Sequence, residues 1–350
     1  MSNVTLRVLL ALCCSMLLLG CAQAKRAKAV AQDAAAPSPY AQRADVQAFA
    51  AEVAERRQLD AEWVAAQLAL ARRQEASQRL MMPAPAGTAK NWAAYRDRFV
   101  EPQRIMAGVR FWQDNAEALQ RAEERYGVPA EIVVGIVGVE TFCGRITGNF
   151  RVLDVLATLA FDFPTGRSDR SPFFRAELEE FLVMCQREGL DPTQVKGSFA
   201  GAIGLPQFMP GSLNRFAVDF DGDGRIDLQS NTTDVVGSVA RYAAEHGWER
   251  GMAPYYAVEV PVDSRQRATL LQPDILPSFT AEQMLQLGAS LDESGRGHGG
   301  LLALVELQNG AAAPSYVAGT QNFYAVTRYN WSSYYAMAVI TLGQAVKRTR

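Results

Sequence analysis

At 350 residues the chain has room for two or three domains, and its 49% hydrophobic and 21% charged content is an ordinary globular balance. A net charge of −2 argues against a nucleic-acid binder, which would favour a basic stripe, and no solenoid-type repeat is present.

The first residues read as a targeting signal. Arg7 precedes an apolar run from Val8 to Leu19, and Leu18-Leu19-Gly20-Cys21 closes it. A short apolar region ending in small residues is a secretory signal. The run is shorter than the roughly 20 residues that a transmembrane helix needs. Leu-Leu-Gly-Cys resembles a bacterial lipobox, which implies removal of residues 1–20 and acylation of Cys21. Two or three acyl chains suffice for stable anchoring. Ala22, with no Asp in its place, points to the periplasmic face of the outer membrane.

Residues 21–42 are rich in Ala, Gln, Lys and Pro and read as a flexible tether. A helical region over 43–90 follows. Phe49, Val53 and Leu59 line one helix; Trp63, Val64, Gln67, Leu68 and Ala71 belong to a second, with Asp60 as its N-cap. Met81 to Gly87, with two prolines, breaks the chain. Tyr95 to Val100 is a short polar–aromatic segment. Gly108 to Tyr126 shows one helical pattern, with Phe111, Trp112, Ala118, Leu119 and Ala122 as its apolar stripe.

Tyr126 to Gly144 is the stretch that the rest of the chain serves. Pro129 suits a first helical position. Ile132, Val133, Val134, Ile136, Val137 and Val139 leave no polar face, which predicts a helix buried all round. Gly135 and Gly138 allow another helix to approach closely, and Gly144 is the expected stop. At the end of this rod stands one carboxylate, Glu140. Desolvation there raises its pKa, as a general acid near neutrality requires. A Glu paired with an Arg for structure is the alternative.

Only Cys143 and Cys185 remain as thiols after the signal and Cys21, and the sequence leaves open whether they form a disulfide. No zinc spacing is present, and His246 and His298 alone argue against a histidine triad or a histidine-based metal site. Arg151 to Pro164 reads as a helix ending at the proline. Thr165 to Ser171 is a polar loop carrying Arg167 and Arg170, and Phe173 to Arg187 is helical. Lys196 to Pro210 is dominated by small residues, among which Ser198, Gln207 and Phe208 stand out. Such a stretch cradles a bulky ligand or packs helices tightly.

Asp219-Phe-Asp-Gly-Asp-Gly-Arg resembles an EF-hand loop. Asp219, Asp221 and Asp223 fall at positions one, three and five, Gly224 at the turn and the Arg225 carbonyl at seven; position twelve is Ser230. Carboxylates converging there favour a structural calcium ion. Thr232 to His246 is a helix ended by Gly247. Tyr255 to Val262, with Val258 and Val260 on one face, opens a β-rich stretch over 255–314 that is irregular beyond that strand, with a loop at Glu293 to Gly300. Residues 315–350 return the chain, with Asn330 to Val346 as the last helix.

Several of these stretches together resemble the membrane-bound lytic murein transglycosylase B family. They are Gly-Val-Glu-Thr at 138–141, Arg-Val-Leu-Asp-Val-Leu-Ala-Thr-Leu at 151–159, Gly-Ser-Phe-Ala-Gly-Ala-Ile-Gly at 197–204, Gln-Phe-Met-Pro at 207–210, and Tyr-Asn-Trp-Ser-Ser-Tyr-Tyr-Ala-Met-Ala-Val at 329–339, together with the Asp-rich loop. The resemblance implies a mainly α (α+β) fold: a lysozyme-like helical core over 91–254, carrying the acidic loop at 219–234, with an added helical region and a small β subdomain. It implies Glu140 as catalytic acid and base. Tyr95, Arg170, Phe173, Ser198, Gln207, Phe208, Tyr329, Asn330 and Tyr335 fall on cleft positions, and Asp234 on the closing calcium position of a longer loop. The loop at Thr165 to Asp169 and the pairs Leu205-Pro206 and Phe142-Cys143 depart from the family pattern.

Most glycosidases use two carboxylates. No second acid stands out beside Glu140; Asp154 and Asp162 are as easily cap or ion-pair residues. A single-carboxylate enzyme needs a nucleophile from its substrate. The resemblance supplies one: the muramoyl C6 hydroxyl attacks its own anomeric carbon, giving a 1,6-anhydromuramoyl end. Ser198 or Asn330 then orients the acetamido group or that hydroxyl. The expected partners are peptidoglycan glycan strands, the outer membrane through the lipid anchor, and other cell-wall enzymes. The competing readings are a lysozyme-type hydrolase and a lipoprotein that binds glycan without cutting it.

Overall fold

The computed structural model describes residues 38–83 and 89–350; the signal, Cys21 and most of the tether lie outside them. The described residues fall into two compact units that meet between Arg72 and Arg73.

The first unit holds α1 (Ala44–Arg57) and α2 (Ala61–Ala69). Val46, Phe49, Ala50 and Val53 form the buried stripe of α1. Gln58 ends it in the left-handed conformation, φ 54°. As its spacing predicts, Asp60 caps α2 by accepting the Trp63 N–H at 2.6 Å.

The second unit begins with α3 (Glu75–Leu80), α4 (Trp92–Phe99), α5 (Pro102–Asp114) and α6 (Ala116–Tyr126). The pattern over Gly108 to Tyr126 is therefore two helices, not one. They part at Asn115, whose backbone N–H and side-chain amide both donate to the Phe111 carbonyl, the amide at 2.8 Å, and close the end of α5. The segment expected at Tyr95 to Val100 is likewise helical, because Asn91 caps α4 by accepting the Ala94 N–H.

α7 (Ala130–Thr141) is the apolar rod, with ten of its residues buried. Pro129 is its N-cap and not its first helical residue: its ψ of 147° is extended while its carbonyl accepts from Ile132. α7 stops before Gly144. Phe142 and Cys143 both take φ 55°, with the Phe142 N–H returning to the Gly138 carbonyl and the Cys143 N–H to that of Val137.

Next come β1 (Phe150–Arg151), α8 (Val152–Phe161), α9 (Ser171–Arg187), β2 (Lys196–Gly197), α10 (Pro210–Phe216) and α11 (Thr232–Glu245). β1 and β2 pair antiparallel. Cys143 and Cys185 are free thiols, and burial pushes both up, to about 11 and about 12.

β3 (Tyr255–Glu259), α12 (Ser264–Leu271), α13 (Ala281–Gln286), β4 (Ser290–Leu291), α14 (Glu293–Arg296), β5 (Ala303–Asn309) and β6 (Ala312–Gly319) build the β-rich part. Its sheet is antiparallel in the order β4-β3-β6-β5, over a core of Leu270, Met284, Leu291, Leu302 and Leu304. Val258 and Val260 face that core together. The stretch expected to be irregular contains three short helices; at four to eight residues they are too brief for an apolar period to declare itself. β6 carries the sheet past residue 314.

α15 (Gln321–Thr327) and α16 (Ser333–Thr349) close the chain. α16 packs along α7 on a seam of small residues. A Cβ at Gly135 would meet the Val339 carbonyl, and one at Gly343 the Glu131 carbonyl, so only glycine admits this backbone approach. The seam sets the last turn of α7 beside the first turns of α16.

Candidate active site

Glu140 stands on that last turn. The Tyr335 hydroxyl, from α16, donates to Glu140 Oε1 at 2.6 Å. Burial pushes the Glu140 carboxyl up to about 7; the Tyr335 hydrogen bond favours the charged form and offsets only part of that. Among the described residues Glu140 is in no ion pair, so the reading as a structural Glu–Arg pair fails. Arg104 instead donates to the Gly138 carbonyl at 2.6 Å and lies 4.4 Å from the centre of the Phe142 ring. No neighbouring carboxylate contributes to the Glu140 shift. Asp154 pairs with Arg151 at 2.9 Å, and Asp162 occupies the end of α8.

Tyrosines surround the carboxyl. The Tyr329 ring lies nearly parallel to Tyr335, 6.0 Å away, and its hydroxyl donates to the Pro206 carbonyl. Tyr242, from α11, packs 4.8 Å from Tyr329 and donates to the Arg328 carbonyl. Tyr95 packs on Phe99 and Tyr334. Burial raises the pKa of all four hydroxyls, Tyr242 to about 12, and the Glu140 charge adds to each. They stay neutral, and Tyr242, Tyr329 and Tyr335 serve as hydrogen-bond donors. The sequence assigned no site role to Tyr242; its one signal is the helical spacing to His246, on which it stacks at 4.0 Å.

The loop at 196–210 is tied to the end of α7. Thr141, fully buried, donates its hydroxyl proton to the Leu205 carbonyl at 2.9 Å and accepts the Gly144 N–H. Gln207, at φ 53°, donates through Nε2 to the carbonyls of Thr147 and Gly204. Both protons of that amide thus brace the loop, which leaves Oε1 for a ligand. The Ser198 hydroxyl accepts from Ala200 and Ala202 and keeps its own proton to donate. Phe208, expected in the cleft, is 2% exposed and packs beneath Tyr329 and Tyr242 as their support. Asn330 is exposed beside Tyr329. Arg170 and Phe173 stack on one another at 4.8 Å where α9 begins; their contacts are with each other and Phe174.

In the acidic loop, Asp219, Asp221 and Asp223 each bring a carboxylate oxygen within 4.8 Å of the others. Asp219 accepts the N–H groups of Gly222 and Gly224, and Asp223 that of Arg225, which folds the loop round those oxygens. Three hard oxygen donors of this kind suit calcium. Asp234 is not drawn into the group. It is fully buried, and its oxygens accept from Phe220 and Asp227, closing the ends of the loop. Asp227, which the sequence reading passed over, holds the following turn through Gln229 and Ser230.

Residues 41–344 match the transglycosylase SLT domain family. Over 266 residues the chain is 43% identical to the membrane-bound lytic murein transglycosylase B of Escherichia coli (strain K12), covering 76% of this chain and 70% of that protein. The fold resembles the Escherichia coli lytic transglycosylase SLT35 in complex with calcium, with a TM-score of 0.74, 38% identity, and coverage of 89% of this chain and 94% of the other. It also resembles SltB3 of Pseudomonas aeruginosa in complex with NAG-anhNAM-pentapeptide, with a TM-score of 0.72, 28% identity, and coverage of 86% and 78%. The fold is of the lysozyme-like kind. The chain therefore belongs to the transglycosylase SLT domain family, alongside the lytic murein transglycosylases.

Proposed function

We propose that the protein is a lytic transglycosylase that cuts the glycan strand of peptidoglycan between N-acetylmuramic acid and N-acetylglucosamine. The observation that carries this reading is a single buried carboxyl, Glu140, held by Tyr335 and raised to about 7 with no second carboxylate acting on it. Near neutrality a large share of it is protonated. It gives that proton to the glycosidic oxygen as the bond to the muramoyl anomeric carbon breaks. The carboxylate so formed takes the proton of the muramoyl C6 hydroxyl, whose oxygen closes on the anomeric carbon. The acid is restored and a 1,6-anhydro end is left. Holding the C6 hydroxyl against its own anomeric carbon gains effective molarity, so no activated water is needed. The Tyr95 hydroxyl, Gln207 Oε1 and the Ser198 hydroxyl offer the polar contacts that fix the sugar, while Tyr242, Tyr329 and Tyr335 spend their protons on protein oxygens.

Mass spectrometry of digested sacculi tests the reading. Anhydro ends support it, reducing ends indicate a hydrolase, and intact strands indicate a binding protein.

The same reading places the enzyme on a lipid at Cys21, facing the periplasm from the outer membrane. The Leu18-Leu19-Gly20-Cys21 sequence supports this, and the Escherichia coli relative is membrane-bound by name. Among the described residues no helix is long and apolar enough to cross a membrane. Asp219, Asp221, Asp223 and the Arg225 carbonyl would hold a calcium ion, with Asp234 closing the loop round it; the calcium complex of SLT35 supports the assignment.

A further inference from the structure

Thr141 follows Glu140 on the last turn of α7, is fully buried, and takes no part in the chemistry above. Valine has the same shape and would suit this apolar rod. A buried hydroxyl persists only where it is hydrogen-bonded. This one donates to the Leu205 carbonyl at 2.9 Å, lies 3.3 Å from the Val137 carbonyl, and accepts the Gly144 N–H at 3.1 Å. It ties the end of α7 to a loop 64 positions further on.

Leu205 is fastened from its other side as well. Its N–H donates to the Leu228 carbonyl at 2.8 Å, and its side chain packs against Gly144, where a Cβ would lie 3.1 Å from it. The next carbonyl, that of Pro206, accepts the Tyr329 hydroxyl. The Tyr329 ring lies nearly parallel to Tyr335 at 6.0 Å, and the Tyr335 hydroxyl donates to Glu140 at 2.6 Å. The contacts close on themselves, from Glu140 through Thr141, Leu205, Pro206, Tyr329 and Tyr335 back to Glu140. Each link is a covalent bond, a hydrogen bond or a ring contact.

We propose that Thr141 is a positioning residue of the reaction: its hydroxyl fixes the Leu205-Pro206 carbonyls, these seat Tyr329, and Tyr329 keeps Tyr335 on Glu140. The proposal rests on the glycan-cleaving reading above. Without that hydroxyl the buried Leu205 carbonyl faces a methyl group, and the loop withdraws to find another donor. Tyr329 follows the Pro206 carbonyl, and Tyr335 loses the ring that holds its hydroxyl over the carboxyl. Glu140 then loses the one hydrogen bond that favours its charged form. Misplacing a catalytic group by a fraction of an ångström is enough to slow a reaction about tenfold.

The test is a double-mutant cycle, because a path through contacts is shown only by coupling. Thr141→Val should lower kcat/KM on glycan strands about tenfold and move the alkaline limb of its pH profile upwards. Thr141→Ser, which keeps the hydroxyl, should restore both. In a Tyr335→Phe background Thr141→Val should cost no more than about twofold, since the contact it acts through is already gone. A full loss that persists in that background overturns the proposal, as does a Thr141→Ser enzyme no better than Thr141→Val. So does a Thr141→Val enzyme that melts lower but keeps its rate and its limb, which would leave the hydroxyl a helix-end bond alone. If Thr141→Val does not fold, Tyr329→Phe cuts the same path at Pro206, and an unmoved limb there overturns the proposal. Should the wild type leave glycan uncut, the glycan-cleaving reading fails on its own. An NMR titration of the Glu140 carboxyl then decides: a midpoint raised by Thr141→Val and restored by Thr141→Ser sustains the positioning role, and an unmoved midpoint overturns it.

Discussion

Tyr335 and Glu140, 195 positions apart, meet at 2.6 Å because α16 lies against α7 on glycine-lined backbone. The hydroxyl holds the carboxyl in one orientation and leaves it raised to about 7.

Glu140→Gln should fold and bind glycan while losing at least about three orders of magnitude in rate, within the span of acid–base catalysis. It should also change stability with pH. The folded carboxyl sits at about 7 against an ordinary 4.5, so the native state binds the proton more tightly than the unfolded chain. The wild type's stability is therefore full below about 4.5, falls between there and 7, and stays lower above. The loss is about 3 kcal/mol by linkage. Chemical denaturation at pH 4 and pH 8 should show this loss in the wild type and not in the variant.

Tyr335→Phe removes the one hydrogen bond that lowers the Glu140 pKa. The alkaline limb of the kcat/KM profile should move to higher pH, since the acid stays protonated longer. The maximum should fall by about tenfold to a hundredfold as the carboxyl loses its orientation. An alkaline limb left in place would show that the bond does not set the pKa.

Gly135→Ala should cost about 1–3 kcal/mol, because the new methyl meets the Val339 carbonyl and the helices must part. Activity should fall with it, as the Tyr335 hydroxyl withdraws from Glu140. Gly299→Ala, which meets nothing within 4 Å, is the control. Thermal melts and turnover of the two variants, side by side, check both parts.

Chelation should lower the melting temperature while leaving the Glu140 geometry intact, with activity lost through unfolding. A ligand of the native state at a hundredfold excess over its Kd stabilises it by about 2.7 kcal/mol. Asp221→Asn with Asp223→Asn should mimic chelation and make the melt indifferent to calcium. Magnesium should substitute poorly, as it demands tighter octahedral geometry. A wild-type melt unmoved by calcium would leave the loop an acidic turn.

Cys21→Ala should leave the protein unprocessed or displaced from the membrane. Its recovery, cleaved as usual, in the outer-membrane fraction would end the lipid-anchor reading.

What the sequence determined by itself are the features that act over a few residues. The unbroken apolar faces of α7, with Glu140 at its end, need no distant partner to be read, nor does the Asp60 cap of α2. The one-three-five spacing of Asp219, Asp221 and Asp223 likewise fixes which oxygens come together. The tertiary structure decided what those groups meet. It gave Glu140 a tyrosine and no arginine, sank Phe208 beneath Tyr329, brought in Tyr242 from α11, spent Asp234 on the loop's own N–H groups, and parted one expected helix at Asn115. The physical reason is range. Caps, turns and helical periods are settled by neighbours along the chain. The partner of a buried carboxyl is settled by which backbones can touch, and here that rests on glycines more than a hundred residues apart.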